Sequence, residues 1–100
     1  MASTVAVIRH PVSDFDAWKQ VYDEFGSVQA EHGVRAHQVL RSIDDPNQVI
    51  VTHTFDSPEA ARAFFAMAEL KDAMSEGGVD TGSVEISYFD EVESGALVRA

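Results

Sequence analysis

The sequence predicts an α+β fold: one four-stranded antiparallel sheet with helices packed on a single face. Three observations carry this expectation. Two short runs are apolar and mostly β-branched on consecutive positions, Val5-Ala6-Val7-Ile8 and Val49-Ile50-Val51. Each is followed by a stretch whose apolar residues recur at helical spacing. A polar turn, Asp44-Asp45-Pro46-Asn47, separates two strand-like segments in the middle of the chain. Consecutive apolar residues mark strands covered on both faces, whereas spacings of three and four mark amphipathic helices.

The first strand covers Thr4–Ile8 and is stopped by Pro11. Ser13, with Asp16 three residues on, forms a capping-box-like start for one helix. In that helix Phe15, Trp18, Tyr22 and Phe25 recur at spacings of three and four, Val21 and Val28 widen the stripe, and Gly33 closes it. Val34 to Ile43 alternates more loosely, with Arg35, His37 and Arg41 among Val34, Ala36, Val39 and Leu40, the pattern of an edge strand. The central strand through Val49 and His53 then runs into Ser57-Pro58-Glu59, a capping hydroxyl followed by proline at the first helical position. Ala60, Ala61, Phe64, Phe65, Met67 and Ala68 build the next helix, which Gly77 and Gly78 end. Its pattern slips near Met67–Leu70, which predicts a kink or two short helices. Val84, Ile86 and Tyr88 alternate with Glu85, Ser87 and Phe89 in a last strand. Residues 94–100 read as a tail beyond a single domain of residues 1–93, docking through Leu97 and Val98. The order is β-α-β-β-α-β, which within 100 residues gives a ferredoxin-like sheet.

Composition narrows the function classes. The net charge is 7 − 17 = −10, too little Lys and Arg to displace counterions from nucleic acid. There is no cysteine, so disulfide and thiolate chemistry are excluded. No basic segment leads into an apolar run after Met-Ala-Ser-Thr, and no stretch approaches the roughly 20 apolar residues of a membrane span. The expectation is a cytoplasmic protein with neither membrane nor nucleic-acid partners. Two helices cover only one face of the sheet, yet its central strands are apolar on both. Each aliphatic side chain taken from water is worth roughly 1.5–3 kcal/mol, so a second copy of the chain is the expected cover, as a homodimer.

With these elements in place, nearly the whole chain resembles the dimeric α/β-barrel superfamily, including antibiotic-biosynthesis-monooxygenase-like proteins. The closest stretches are Val7-Ile8-Arg9-His10-Pro11-Val12 with Asp14-Phe15-Asp16-Ala17-Trp18-Lys19, the His53–Ala63 strand–helix junction, and Glu69-Leu70-Lys71-Asp72-Ala73-Met74. The resemblance implies two subunits forming a dimeric α/β barrel, with a ligand pocket between each sheet and its own helices. Haem-degrading relatives carry a helix-borne histidine where this chain has Met74, which argues against haem. Polyketide-cyclase relatives use a Tyr and a His that fall here on Phe64 and Leu70. The reading that remains is a cofactor-independent monooxygenase-like enzyme acting on a small aromatic or polyketide-like molecule. An aldol-type cyclase, or a ligand-binding or structural homodimer without turnover, are the alternatives.

His53 is the preferred catalytic base, since a neutral imidazole accepts a proton from an acidic phenol or a β-dicarbonyl carbon. The competing reading makes it a core or dimer-interface histidine bonded to a backbone or Gln38 partner. His10 and Tyr22 are the other catalytic candidates. Trp18, Phe25, Gln38, Phe64, Phe65 and Tyr88 are the expected lining of a flat hydrophobic pocket, although a stripe at helical spacing also describes plain core. His10, His37 and His53 on three strands invite a metal site. Centring the hairpin on Asp45-Pro46-Asn47-Gln48 sets Leu40 opposite His53 and Gln38 opposite Phe55, which turns His37 to the other face. A one-residue slip of the turn would reverse that facing, but separated histidines are the expectation and no metal is expected. The resemblance to cofactor-independent monooxygenases implies no cofactor.

Overall fold

The computed structural model describes residues 3–98. Strand β1 (Thr4–Pro11) leads to helices α1 (Phe15–Glu24) and α2 (Gly26–Glu31). Strands β2 (Ala36–Arg41) and β3 (Gln48–Phe55) follow, then helices α3 (Pro58–Phe65) and α4 (Ala68–Glu76), a short 3₁₀ turn, and strand β4 (Glu85–Asp90). The sheet order is β2-β3-β1-β4, all antiparallel, the ferredoxin-like arrangement with the helices on one face.

Alternation along the central strands sorts side chains between the two faces. On β1, Thr4, Ala6, Ile8 and His10 are buried, and on β3, Val49, Val51, His53 and Phe55. These face the helices and form the core with Trp18, Ala61, Phe64 and Leu70. The intervening Val5, Val7 and Ile50 point to the opposite face, where Leu40 pairs with Ile50 and Phe89 with Val5. Leu40 and Phe89 remain exposed there.

The long first helix expected from the stripe is two helices. Phe25 ends α1 and begins α2, a break consistent with the poor helix propensity of Gly26 and Ser27. Its cap is Asp14 rather than Ser13, the Asp14 carboxylate accepting from Ala17 N–H at 3.2 Å. Ser57 caps α3, accepting from Ala60 N–H at 3.1 Å, and the expected slip near Met67 is the α3–α4 junction. Leu97 and Val98 are fully exposed and do not dock on their own chain, while residues 99 and 100 of the expected tail lie outside the described residues.

The β2–β3 register differs from expectation. His37, not Leu40, stands opposite His53, a displacement of 40 − 37 = 3 residues. The Asp45–Gln48 turn does form, with Gln48 N–H donating to the Asp45 carbonyl at 3.0 Å. It is nested in a wider loop, however. The Ser42 hydroxyl accepts from the N–H groups of Asp44 and Asp45, and Ser42 N–H donates to the Gln48 carbonyl. An odd displacement swaps the faces of the whole strand. His37 therefore joins His53 on the helix side, and Gln38 moves to the open face, where it accepts a hydrogen bond from the Thr52 hydroxyl at 3.1 Å.

Candidate active site

Between the sheet and α1, α2 and α4 lies a cavity of ≈ 50 Å³, lined by Ile8, His10, Trp18, Val21, Tyr22, Phe25, Gln29, Val51, His53, Phe65, Leu70, Ala73 and Met74. The helical stripe supplies one wall. Trp18 and Tyr22, one turn apart, stack with ring centroids 5.1 Å apart, and Gln29 continues the same spacing past Phe25. The sheet supplies the floor, His10 from β1 and His53 from β3. Trp18 is pinned by its surroundings, since the backbone of Gly77 passes so close that an added Cβ would lie 3.2 Å from its ring.

The two buried histidines differ. His10 has Nδ1 3.1 Å from the Pro11 carbonyl and sets its ring edge-on to Trp18. Burial lowers its pKa, against a smaller upward pull from that backbone contact. His53, 3 % exposed, sits among Tyr22, Phe55, Phe64 and Phe65, with the Phe65 ring stacked on it at 5.9 Å. Burial in this aromatic nest, reinforced by the nearby His37, pushes its pKa down to about 4. The ring is neutral at pH 7, and its Nδ1 is buried without a hydrogen-bond partner among the described residues.

Tyr22 joins β2 to β3 across the cavity edge. Its hydroxyl oxygen lies 2.8 Å from His37 Nδ1 and 3.2 Å from His53 Nε2. One hydroxyl carries one proton, so it donates to one ring and accepts from the other. Burial raises its pKa to about 12, against a downward pull from the Gln29 side chain and with a further push from the Asp23 carboxylate. Tyr22 is therefore a neutral phenol at pH 7.

Of the residues singled out in the sequence, His10, Trp18, Tyr22, Phe25, His53 and Phe65 meet around this cavity. Phe64 belongs to the core behind it, and Tyr88 packs edge-on against Phe65 without lining the cavity. Gln38 is on the opposite face. Gln29, buried, was signalled by the unbroken 18-22-25-29 spacing, and Met74 and Leu70 by the second helical stripe. His37 was hidden by the hairpin register. His10 lies four residues along the ladder from the level of His53, about 13 Å at ~3.3 Å per residue, so the three histidines do not converge. Among the described residues, no group of three or more His, Cys, Asp or Glu side chains is placed to hold a metal ion, and no helix is long and apolar enough to cross a membrane.

A protein-family model described as antibiotic biosynthesis monooxygenase matches residues 1–76. The chain belongs to that family. Among solved structures it is similar to SnoaB, a cofactor-independent oxygenase from Streptomyces nogalater, at 18% identity and TM-score 0.75, covering 99% of this chain and 100% of that one. It is also similar to a protein of Caulobacter crescentus CB15 assigned to the same family, at 22% identity and TM-score 0.74, with 92% of each chain covered. A monooxygenase from the gene ActVA-Orf6 of Streptomyces coelicolor, in complex with nanaomycin D, matches at 22% identity and TM-score 0.67, over 99% of this chain and 94% of that one. At these identities the likeness is one of fold. No curated protein matches the sequence significantly.

Proposed function

We propose that this member of the antibiotic biosynthesis monooxygenase family is a cofactor-independent oxygenase for a small aromatic or polyketide-like substrate, with His53 as its base. The observation that carries this is a neutral, nine-tenths-buried imidazole with one unpartnered nitrogen in a cavity walled by aromatic rings. The family and the oxygenase description of SnoaB support the reaction class. An electron-rich phenol gives up a proton to His53 and becomes a carbanion. Dioxygen oxidises that carbanion, forming a carbon–oxygen bond, and the resulting peroxide takes up a proton and loses water to leave a carbonyl. No other oxidant is needed. Stacking on Trp18 and Phe65 holds the flat ring system against His53.

A cavity of ≈ 50 Å³ holds a few waters, whereas a ring system of this kind needs several-fold more. Binding therefore moves the half-buried Val21, Phe25, Ala73 and Met74 outward, parting α1 from α4. The open face carrying Val5, Val7, Leu40, Ile50 and Phe89 is covered by a second copy, with residues 1–93 as the domain and 94–100 as a tail. Oxygen uptake with an electron-rich phenol, abolished in His53→Ala, is the expected result. A cyclised product formed without oxygen, or binding with no turnover at all, would refute the oxygenase.

A further inference from the structure

We propose that His53, Tyr22 and His37 form a proton relay linking the buried cavity to water, with the exposed His37 as its outer end. This rests on His53 acting as the base, and it adds two residues whose role is to carry the proton onward.

The hydrogen bonds set its direction. Both contacts of the Tyr22 hydroxyl, 2.8 Å to His37 Nδ1 and 3.2 Å to His53 Nε2, are within hydrogen-bonding range. His53 Nδ1 is buried and unpartnered, and a buried N–H without an acceptor is costly. The His53 proton therefore sits on Nε2 and is donated to the Tyr22 oxygen. Tyr22 then donates its own proton to His37 Nδ1. His37 lies at the end of this chain on edge strand β2 and is exposed to water. The rings are nearly parallel as well, Tyr22 lying at 23° to His37 and 26° to His53.

The chain answers a difficulty in the base itself. An imidazole in so dry a place is a poor resting site for a proton, because the charge it would carry is desolvated and faces a second imidazole. In the relay, a proton arriving at His53 Nδ1 is matched by one leaving Nε2 for the Tyr22 oxygen. The Tyr22 proton passes to His37 Nδ1, and the His37 imidazolium releases one to water. Only N–H and O–H bonds change, and the positive charge ends on the exposed group. The reverse sequence returns the proton that the departing hydroxide needs to become water. A phenol hydroxyl held neutral by burial suits the middle position, since it passes a proton on without becoming a tyrosinate.

The test has two arms. In the first, Tyr22→Phe and His37→Ala are each expected to lower kcat on the order of 10²-fold with little change in KM. Free imidazole restores His37→Ala, whose partner site is open to water, and fails to restore Tyr22→Phe. Unchanged kcat in either variant, or rescue of neither, overturns the relay while leaving His53 as base. The second arm needs no turnover: ¹⁵N NMR of the histidine rings reads which nitrogen holds each proton. A wild-type His53 protonated at Nε2, with the His37 resonances moved by Tyr22→Phe, supports the chain. A His53 protonated at Nδ1, or a His37 indifferent to Tyr22→Phe, overturns it. If the wild type consumes no oxygen with any phenol, the oxygenase falls and the NMR arm alone decides the relay.

Discussion

The two faces of the one sheet are built from the same strands and do opposite things. Along β3 the helix-side residues Val49, Val51, His53 and Phe55 are all buried, and the alternate Gln48, Ile50, Thr52 and Thr54 are not. The helix side encloses two histidines among aromatic rings, where low dielectric decides their protonation. The open side carries Val5, Val7, Leu40, Ile50 and Phe89 with hydroxyl, amide and exposed charged groups, and no buried titratable side chain among the described residues. The buried titratable groups are thus concentrated where water is excluded, and the alternate face keeps its apolar side chains partly open to water. The difference is a matter of parity, one residue along the strand.

The largest effect that tests this contrast belongs to the enclosed face. Phe55, fully buried, packs against His53, Phe64 and Phe65. Phe55→Ala is expected to cost about 3–5 kcal/mol in urea unfolding. A loss below about 1 kcal/mol would mean that this face is not the core.

Ile50→Asp asks the same of the other side. If a second copy covers it, the substitution buries an unpaired carboxylate and converts a micromolar dimer to a folded monomer, an effect of several kcal/mol on association. Light scattering reads this directly, and a wild-type monomer would break the comparison.

Acid stability separates the faces by titration. His53 falls from 6.5 unfolded to about 4 folded, so the unfolded chain binds more protons between those values. Its contribution is fully present above pH 6.5 and is lost as pH falls toward 4, up to about 3 kcal/mol. His10 acts in the same direction, so wild type and His53→Leu should differ by the His53 share alone. Parallel pH–stability curves for the two would show that His53 is not held neutral by burial.

The smallest effect is at the crossing from sheet to helix. Ser57→Ala removes the cap of α3 and should cost about 1 kcal/mol by thermal or urea unfolding, leaving the open face untouched. Any change in association would show that α3 communicates with it.

The sheet was legible because its signals are local. Consecutive valines and isoleucines, the Ser57-Pro58 start and the Gly77-Gly78 end each act within a few residues. The site was legible where it hangs on one helix, as in the Trp18–Tyr22–Phe25 stripe. It was not legible across the hairpin. The Asp45-Pro46 turn is real, yet the Ser42 hydroxyl binds two further backbone N–H groups and lengthens the loop, which no strand pattern records. The register that accompanies this wider loop puts His37 on the helix side and Gln38 on the open face. The break at Phe25 was likewise missed, because the apolar stripe continues through it to Val28.

That break bears on how the proposed substrate would be admitted. The layer over the sheet is four separate rods of 10, 6, 8 and 9 residues. Helices this short are marginal in isolation, below the ~12–15 residues at which a free helix persists in water, so each is ordered by packing on the sheet and on its neighbouring helices. In the proposed oxygenase, opening would therefore cost the packing of one or two short helices rather than the melting of the whole layer. A cavity sized for a few waters at rest would, in that enzyme, become the substrate site by local opening of this layer, while the sheet stays folded beneath it.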